Sequence, residues 1–333
     1  MSKARIIFLG EKEWGYVALK ELVEHPQRYE IVGVFTYPKV DPAAHDWYDA
    51  ISKIAKDKGL RLYEVPDHEI NSEKYIKIIK SLRADILLSI GWRTLFGETI
   101  LRIPRASVNV HSALLPRYRG YNPNNWSIIN DEKKAGVTAH IIVPKVDTGS
   151  ILVQKEIDID EKETIADLHK KSIAILPGII MEALEKIERG EKGTEMDLNN
   201  QSYWGRRYPE DGLIDWSKSV KEINNIIRAL SHPYPGAFTF WNGKRLYVWK
   251  AEPSQLKNYH GRAGQILMRS IKEKAIHVRC GDGMLKILRV QEEGGEELDA
   301  ADCIKETGFS LGMRIEMEIE KIWKKIGASG EVR

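Results

Sequence analysis

Three polar residues, Asn109, His111 and Asp147, have the types and spacing needed for acid–base chemistry. Asn109 and His111 stand two positions apart at the end of an apolar run, residues 106–110, so an alternating strand would point both side chains to one face. Asp147 follows in the segment Val-Asp-Thr-Gly-Ser, residues 146–150. An amide, an imidazole and a carboxylate can together polarise a carbonyl group, move a proton and orient the imidazole.

Each of these residues also has a purely structural interpretation. A lone histidine is usually a surface group or a satisfied core group, and an aspartate before Thr148-Gly149 is typical of a turn. The chemical interpretation is favoured for His111 because Asn109 lies on the same predicted strand face.

A short cationic segment, Arg117-Tyr118-Arg119-Gly120, comes directly after Pro116, which ends regular structure. Such a turn typically holds an anionic or aromatic part of a substrate, although both arginines could instead be solvated surface charge. Trp126 is the tryptophan that we expect nearest to a ligand, and the other tryptophans are expected in cores or interfaces.

Strand-like and helix-like segments alternate over the first two hundred residues. This alternation predicts an α/β domain with a parallel sheet and helices on both faces. Ligands in such sheets bind beyond the carboxyl ends of strands, where Asn109 and His111 lie. The turn after Gly10 lacks the Gly-x-Gly-x-x-Gly pattern, so a nicotinamide cofactor is not expected. The predicted strands are residues 4–9, 31–35, 61–65, 85–90 and 106–110, and predicted helices include residues 47–58 and 72–82.

The pattern changes after residue 136. Two alternating runs, residues 137–143 and 151–157, place Asp147 in the connection between strands. A long helix is predicted over residues 165–189, with Thr164 as its N-cap. Beyond a polar linker, Asn242-Gly243 is a strong hairpin signal, and several short strands with turn signals predict a small β-barrel.

Length and composition are those of a two-domain globular protein. The chain has 333 residues, 42% of them hydrophobic, and a net charge of +3. Residues 206–333 hold 22 Lys and Arg against 18 Asp and Glu, an excess of +4, which is slight for a protein that grips a nucleic acid. The two cysteines, Cys280 and Cys303, predict neither a metal site nor a disulfide framework. We expect a cytoplasmic protein without a membrane segment.

The motifs resemble those of enzymes that transfer a formyl group from 10-formyltetrahydrofolate to an amine. The family pattern is Asn-x-His, Leu-Leu-Pro, Arg-Gly, Gly-Val-Thr and Asp-x-Gly, in this order. Its counterparts here are Asn109/His111, residues 114–116, Arg119-Gly120, residues 136–138 and Asp147/Gly149. Many members have Gly-Ser or Pro-Ser after the histidine, whereas this chain has Ser112-Ala113.

The resemblance implies roles for particular residues. Asn109 and a protonated His111 would donate hydrogen bonds to the oxyanion, and Asp147 would fix the histidine tautomer; either His111 or Asp147 could take the amine proton. No metal is implied. The folate would contact Ser89, Ile90, Gly91, Trp92, Leu115 and Val143, and the acceptor would contact Arg117, Tyr118, Arg119 and Trp126.

The resemblance also implies the architecture. It predicts a Rossmann-like, parallel-sheet formyltransferase domain over residues 1–195, a linker over residues 196–205, and a small β-barrel domain of OB type over residues 206–325.

The acceptor that we expect is the primary amine of a nucleotide-linked amino sugar, as in polysaccharide biosynthesis. His140 stands where tRNA-acting members of the family usually have an apolar residue, and residues 122–126 are similar to the sugar-acting members. Methionyl-tRNA formylation and formyltetrahydrofolate hydrolysis are the alternatives, and tRNA is not the expected partner. The identity of the sugar and nucleotide, and whether the chain forms a homodimer, are left open.

Overall fold

The computed structural model describes residues 3–39 and 47–312. These residues group into two compact units. The first holds those within Met1–Ser127, Lys133–Ile159 and Leu168–Arg206, and the second holds those within Ile128–Glu132, Asp160–Asp167 and Arg207–Arg333. Residues 313–325, which were expected in the second domain, lie outside the described residues. No helix in the described part of the chain is long and apolar enough to cross a membrane.

The first unit is built on a seven-stranded sheet. Its strands are β1 (Ala4–Gly10), β2 (Tyr29–Thr36), β3 (Leu62–Glu64), β4 (Ile86–Ile90), β5 (Ala106–His111), β7 (Lys134–Ile141) and β8 (Ile151–Asp158), while the short β6 (Arg119–Gly120) pairs with β9 (Tyr203–Trp204). These strands are connected by six helices: α1 (Lys12–Val23), α2 (Trp47–Asp57), α3 (Glu73–Leu82), α4 (Glu98–Leu101), α5 (Pro123–Ile129) and α6 (Ile165–Glu188). Single 3-10 turns occupy Glu69–Asn71 and Leu198–Asn200 in this unit and Pro209–Gly212 in the second unit.

The order of the strands is β3-β2-β1-β4-β5-β7-β8. The first five are mutually parallel, and β7 and β8 add antiparallel pairings at one side. The chain order reverses between β1 and β4, which makes the carboxyl ends of the central strands the expected position for a ligand. Four successive residues of β1, Ile6 to Leu9, are fully buried, as expected for a strand covered on both faces.

The second unit is built on an antiparallel sheet. Its elements are α7 (Val220–Leu230), β10 (Ala237–Trp241), β11 (Lys244–Pro253), β12 (Ile266–Ser270), β13 (Ala275–Arg279), β14 (Met284–Glu292), β15 (Glu297–Asp299) and α8 (Ala300–Cys303). The strands follow the order β10-β11-β14-β13-β12, with β15 paired to β14. Ile223 and Ile227 of α7 pack into a core with buried strand residues such as Leu246 and Ile276.

The predicted fold class is confirmed by this division into a parallel-sheet domain and a separate antiparallel domain. The hairpin at Asn242-Gly243 is also confirmed, because both residues have positive φ and Trp241 pairs with Lys244. Closure of the second sheet into a barrel of OB type stays a prediction.

Candidate active site

The register of β5 against β7 determines which side chains meet at the end of the sheet. Asn109 lies opposite His140, and His111 lies opposite Thr138. Because directly opposite residues of an antiparallel pair share one face, His140 joins Asn109 and His111 on that face. Asp147 stands in the loop between β7 and β8, as the sequence predicts.

Four side chains, Asn109, His111, His140 and Asp147, form what we call the acid–base cluster. His111 Nδ1 lies 3.8 Å from Asp147 Oδ2, and His140 Nε2 lies 3.5 Å from Asp147 Oδ1. Asn109 Nδ2 is 3.3 Å from His140 Nε2. The backbone N–H of Gly120 donates a 3.0 Å hydrogen bond to Asp147 Oδ2. One carboxylate therefore holds three separate segments of chain together.

Asp147 is ionised in this environment. Burial alone would raise the pKa of this carboxyl group, but the nearby His111, the contact with His140 and the Gly120 N–H together outweigh burial and hold the pKa well below its usual range. A carboxylate with so low a proton affinity is a weak proton acceptor, and it is well suited to stabilise a positive imidazole.

The ring of His111 is held between two accepting groups. Its Nε2 lies 2.9 Å from the backbone oxygen of Tyr118, and a carbonyl oxygen can only accept, so Nε2 carries a hydrogen. Nδ1 faces the carboxylate of Asp147. The surroundings thus provide an acceptor for each N–H of a protonated ring.

Two glycines allow the loops of this site to approach each other. A Cβ on Gly149 would lie 1.9 Å from the backbone oxygen of Ile141, so the Asp147 loop reaches β7 only with glycine there. Gly120 has φ +96, and a Cβ on it would lie 2.5 Å from the backbone oxygen of Trp204. These contacts are physical reasons for glycine in the Asp-x-Gly and Arg-Gly motifs.

Thr138 holds the loop that follows His111. Its hydroxyl donates a 2.6 Å hydrogen bond to the backbone oxygen of Ala113 and accepts one from the Gln154 side chain at 2.8 Å. Gln154 also donates to the backbone oxygen of Leu115. The threonine of the Gly-Val-Thr motif therefore fixes the path of the chain beside the acid–base cluster.

The two arginines of the predicted anion-binding turn have different surroundings. Arg117 is exposed, whereas Arg119 is only 7% exposed. The Arg119 guanidinium hydrogen-bonds to the side chain of Gln201, and its buried Nε has no hydrogen-bond partner. Among the described residues, no carboxylate pairs with Arg119. A buried cation without a counter-charge is costly, so this position favours an anionic ligand.

Tyr118, Trp126 and Trp204 form what we call the aromatic wall. The rings of Tyr118 and Trp204 stack at 5.6 Å between centroids, and those of Trp126 and Trp204 lie 4.5 Å apart. The pairing of β6 with β9 brings Trp204 to this place, so part of the segment expected to be a linker lies against the cationic turn.

The residues assigned to folate binding lie in three places: residues 89–92 at the carboxyl end of β4, Leu115 after β5 and Val143 after β7. Ser89 is buried and pairs with Asn109 in register, and Trp92 stacks on Tyr37 at 4.2 Å. The buried indole N–H of Trp92 has no hydrogen-bond partner. Ile90 and Leu115 are buried, Gly91 is exposed with φ +70, and Val143 lies beside Gly149. A flat heterocycle with an acceptor atom would suit this aromatic surface.

His140 and Trp204 lie at the candidate site without having been assigned to it from the sequence, where His140 bore only on the choice of acceptor. Alternation along β7 was the available signal for His140, but its meaning depends on the pairing of β7 with β5. No local pattern marks Trp204, because its partner strand lies more than eighty residues earlier in the chain.

Comparison with known proteins is consistent with this geometry. Residues 4–184 match the family model of the formyl transferase domain, and residues 207–308 match that of the formyl transferase C-terminal domain.

Several solved structures share the fold at low sequence identity. HypX from Aquifex aeolicus in complex with tetrahydrofolic acid has a TM-score of 0.60 at 17% identity, covering 94% of this chain and 51% of that one. WlaRD, a sugar 3N-formyl transferase solved with dTDP and 5-N-formyl-THF, has a TM-score of 0.61 at 20% identity, covering 89% and 100%. The N-formyltransferase from Helicobacter canadensis, in complex with folinic acid and dTDP-3-aminofucose, has a TM-score of 0.61 at 19% identity, covering 87% and 100%.

The chain spans about half the length of the HypX structures and the full length of the two sugar-acting enzymes. The two family models cover most of the sequence and confirm the resemblance predicted from the motifs. This chain belongs to the formyl transferase family.

Proposed function

We propose that this protein is an N-formyltransferase that moves the formyl group of 10-formyltetrahydrofolate to the primary amine of a nucleotide-linked amino sugar. The family membership supports formyl transfer, and neighbours solved with folates support the donor. Two neighbours solved with dTDP or a dTDP-amino sugar support the acceptor class.

The observation that carries the acceptor class is the buried guanidinium of Arg119, with which no carboxylate pairs among residues 3–39 and 47–312. It lies one residue before Gly120, whose N–H binds Asp147, and so it is adjacent in the chain to the acid–base cluster. A diphosphate would supply the missing counter-charge, and the aromatic wall would offer a surface for the sugar or the base.

The proposed chemistry follows from the cluster. The uncharged amine attacks the formyl carbon, and the developing oxyanion accepts a hydrogen bond from the Asn109 amide and is stabilised by the positive charge of a protonated His111. Collapse breaks the bond between the formyl carbon and N10 of the folate; the charged His111 gives its proton to N10 and takes up the proton that the former amine loses. Since Asp147 has so low a pKa, we assign the proton movement to His111 and assign to Asp147 the stabilisation of its charged ring.

The test is a screen of the purified protein with 10-formyltetrahydrofolate against dTDP- and UDP-linked amino sugars, charged initiator methionyl-tRNA, and no acceptor. Tetrahydrofolate release and the mass of the formylated product are measured. We expect turnover with at least one amino sugar. Efficient formylation of methionyl-tRNA, or folate release without any acceptor, would contradict the proposed acceptor.

Substitution of Arg119 tests the anion subsite directly. Arg119→Gln should raise KM for the sugar nucleotide by about 10-fold or more, because it removes a charge-assisted contact worth about 1.5–3 kcal/mol. Arg117→Gln is the matched control, since Arg117 is exposed two residues away, and it should change KM less. Equal effects of both substitutions, or no effect of Arg119→Gln in a folded protein, would remove Arg119 from the subsite.

A further inference from the structure

The imidazole of His140 is fixed by a backbone oxygen. The side chain is 2% exposed, and Nδ1 lies 2.9 Å from the carbonyl oxygen of Ile141. Because that oxygen can only accept, Nδ1 carries a hydrogen in this arrangement. In the neutral ring, Nε2 is then an acceptor.

Nε2 of His140 faces two members of the acid–base cluster, one of which is a hydrogen-bond donor and the other a hydrogen-bond acceptor. The Asn109 Nδ2 at 3.3 Å can only donate, and the Asp147 Oδ1 at 3.5 Å can only accept. A neutral His140 therefore pairs with Asn109, and a protonated His140 pairs with Asp147. One nitrogen satisfies one of these partners at a time.

We propose that His140 is a positioning residue whose neutral Nδ1–H tautomer holds the Asn109 amide with Nδ2 as the donor. This role rests on the proposed formyl transfer, in which Asn109 donates to the oxyanion. One Nδ2 hydrogen is directed to His140, which leaves the other for the substrate. Protonation of His140 replaces the acceptor by a donor, so the amide loses the contact that orients it.

The charges around His140 come from two elements. Asp147 in the loop after β7 faces Nε2, and His111 on β5 shares that carboxylate. A change in the charge of His111 therefore alters the competition between Asn109 and Asp147 for His140. The hydrogen bonds of these three side chains are therefore coupled.

Two substitutions separate positioning from packing. In His140→Gln, the terminal amide oxygen can still accept from Asn109 without titrating, whereas His140→Met fills the volume without an acceptor. We expect His140→Met to lower kcat by about 10- to 100-fold and to leave KM for both substrates nearly unchanged. A loss of this size is typical in metalloenzymes when a residue that orients a metal-binding side chain is removed. His140→Gln should recover most of kcat.

The Asn109→Ala background shows whether His140 acts through Asn109. If it does, His140→Met should lower kcat little further when Asn109 is already absent. An equal loss in both backgrounds, or a Gln variant as impaired as the Met variant, would overturn the proposal.

The tautomer can be measured without any substrate. Nitrogen NMR of the wild-type protein labelled with 15N-histidine at about pH 8, above the ordinary histidine range, should show His140 as the neutral Nδ1–H form. The signal is identified by its absence in His140→Gln. An Nε2–H tautomer or a charged ring would overturn the proposal. Failure of the acceptor screen with an Nδ1–H signal would instead contradict the proposed function alone.

Discussion

At the scale of single residues, His111 has the most constrained surroundings, between the Tyr118 carbonyl and the Asp147 carboxylate. Under the proposed function, His111→Asn should lower kcat by about 100- to 1000-fold, because it removes the positive charge beside the oxyanion together with the proton carrier. Steady-state kinetics measures this loss, and circular dichroism checks the fold.

The matched control for His111→Asn is His169→Asn, at a histidine of the same unit that contacts Glu13 and Trp14 instead. It should leave turnover close to wild type. Near-normal turnover of a folded His111→Asn protein would exclude His111 from the reaction.

The low pKa of Asp147 predicts a specific dependence of stability on pH. A carboxyl group whose folded pKa lies below its ordinary value of 3.8 stabilises the folded protein above that value and loses this contribution as pH falls towards the folded pKa. The difference in unfolding free energy between wild type and Asp147→Asn should therefore narrow as pH falls below about 4.

Urea unfolding of both proteins between about pH 3 and 7 measures this difference. Asp158→Asn, at an exposed aspartate of the same unit, is the control and should differ little from wild type over the whole range. If the difference in unfolding free energy between wild type and Asp147→Asn widened as the pH fell, the lowered pKa of Asp147 would be contradicted.

At the scale of elements, the loop between β7 and β8 positions Asp147 only because Gly149 lies against Ile141. Gly149→Ala should displace this loop, weaken the contact of Asp147 with His111 and lower both kcat and the unfolding free energy. Gly205→Ala is the control, because a Cβ there meets no atom within 4 Å, and it should change stability by less than about 0.5 kcal/mol. Kinetics and thermal unfolding measure both variants. Equal changes of kcat and of stability in Gly149→Ala and Gly205→Ala would contradict this role of the loop.

The predictability of the site differs between its elements. The strand carrying Asn109 and His111 was predictable from its apolar run and from the period-two arrangement of the two polar residues. His140 was not, because its position depends on the register between β5 and β7, which local sequence does not specify. Trp204 was not, because β9 pairs with a strand far away in the chain.

At the scale of the whole molecule, the charge distribution bears on the acceptor. The excess of +4 over residues 206–333 is small for a protein that neutralises many tRNA phosphates. We expect tRNA binding to be weak already at about 50 mM salt, with no formylation of methionyl-tRNA. Filter binding at several salt concentrations, with a sugar-nucleotide assay as control, measures this. Tight binding that persists at high salt would contradict it.

The two-domain architecture was predictable from length and from the change of pattern along the chain. The exact membership of each unit was not, since the short segments Ile128–Glu132 and Asp160–Asp167 group with the second unit through contacts distant in sequence. Hydrophobic periodicity reports the secondary structure of a segment, and it carries no information on which distant segment covers it.

The pairing of β6 with β9 has a consequence for local opening of the native protein. The bond from Gly120 to Asp147 closes 27 residues, whereas the bond from Tyr118 to Ser202 beside the β6–β9 pair closes 84. Closing the 84-residue loop costs about 1 kcal/mol more in chain entropy than closing the 27-residue loop. The β6–β9 ladder that offsets this cost is only two residues long. We therefore expect native-state hydrogen exchange to open the β6–β9 pair more readily than the acid–base cluster.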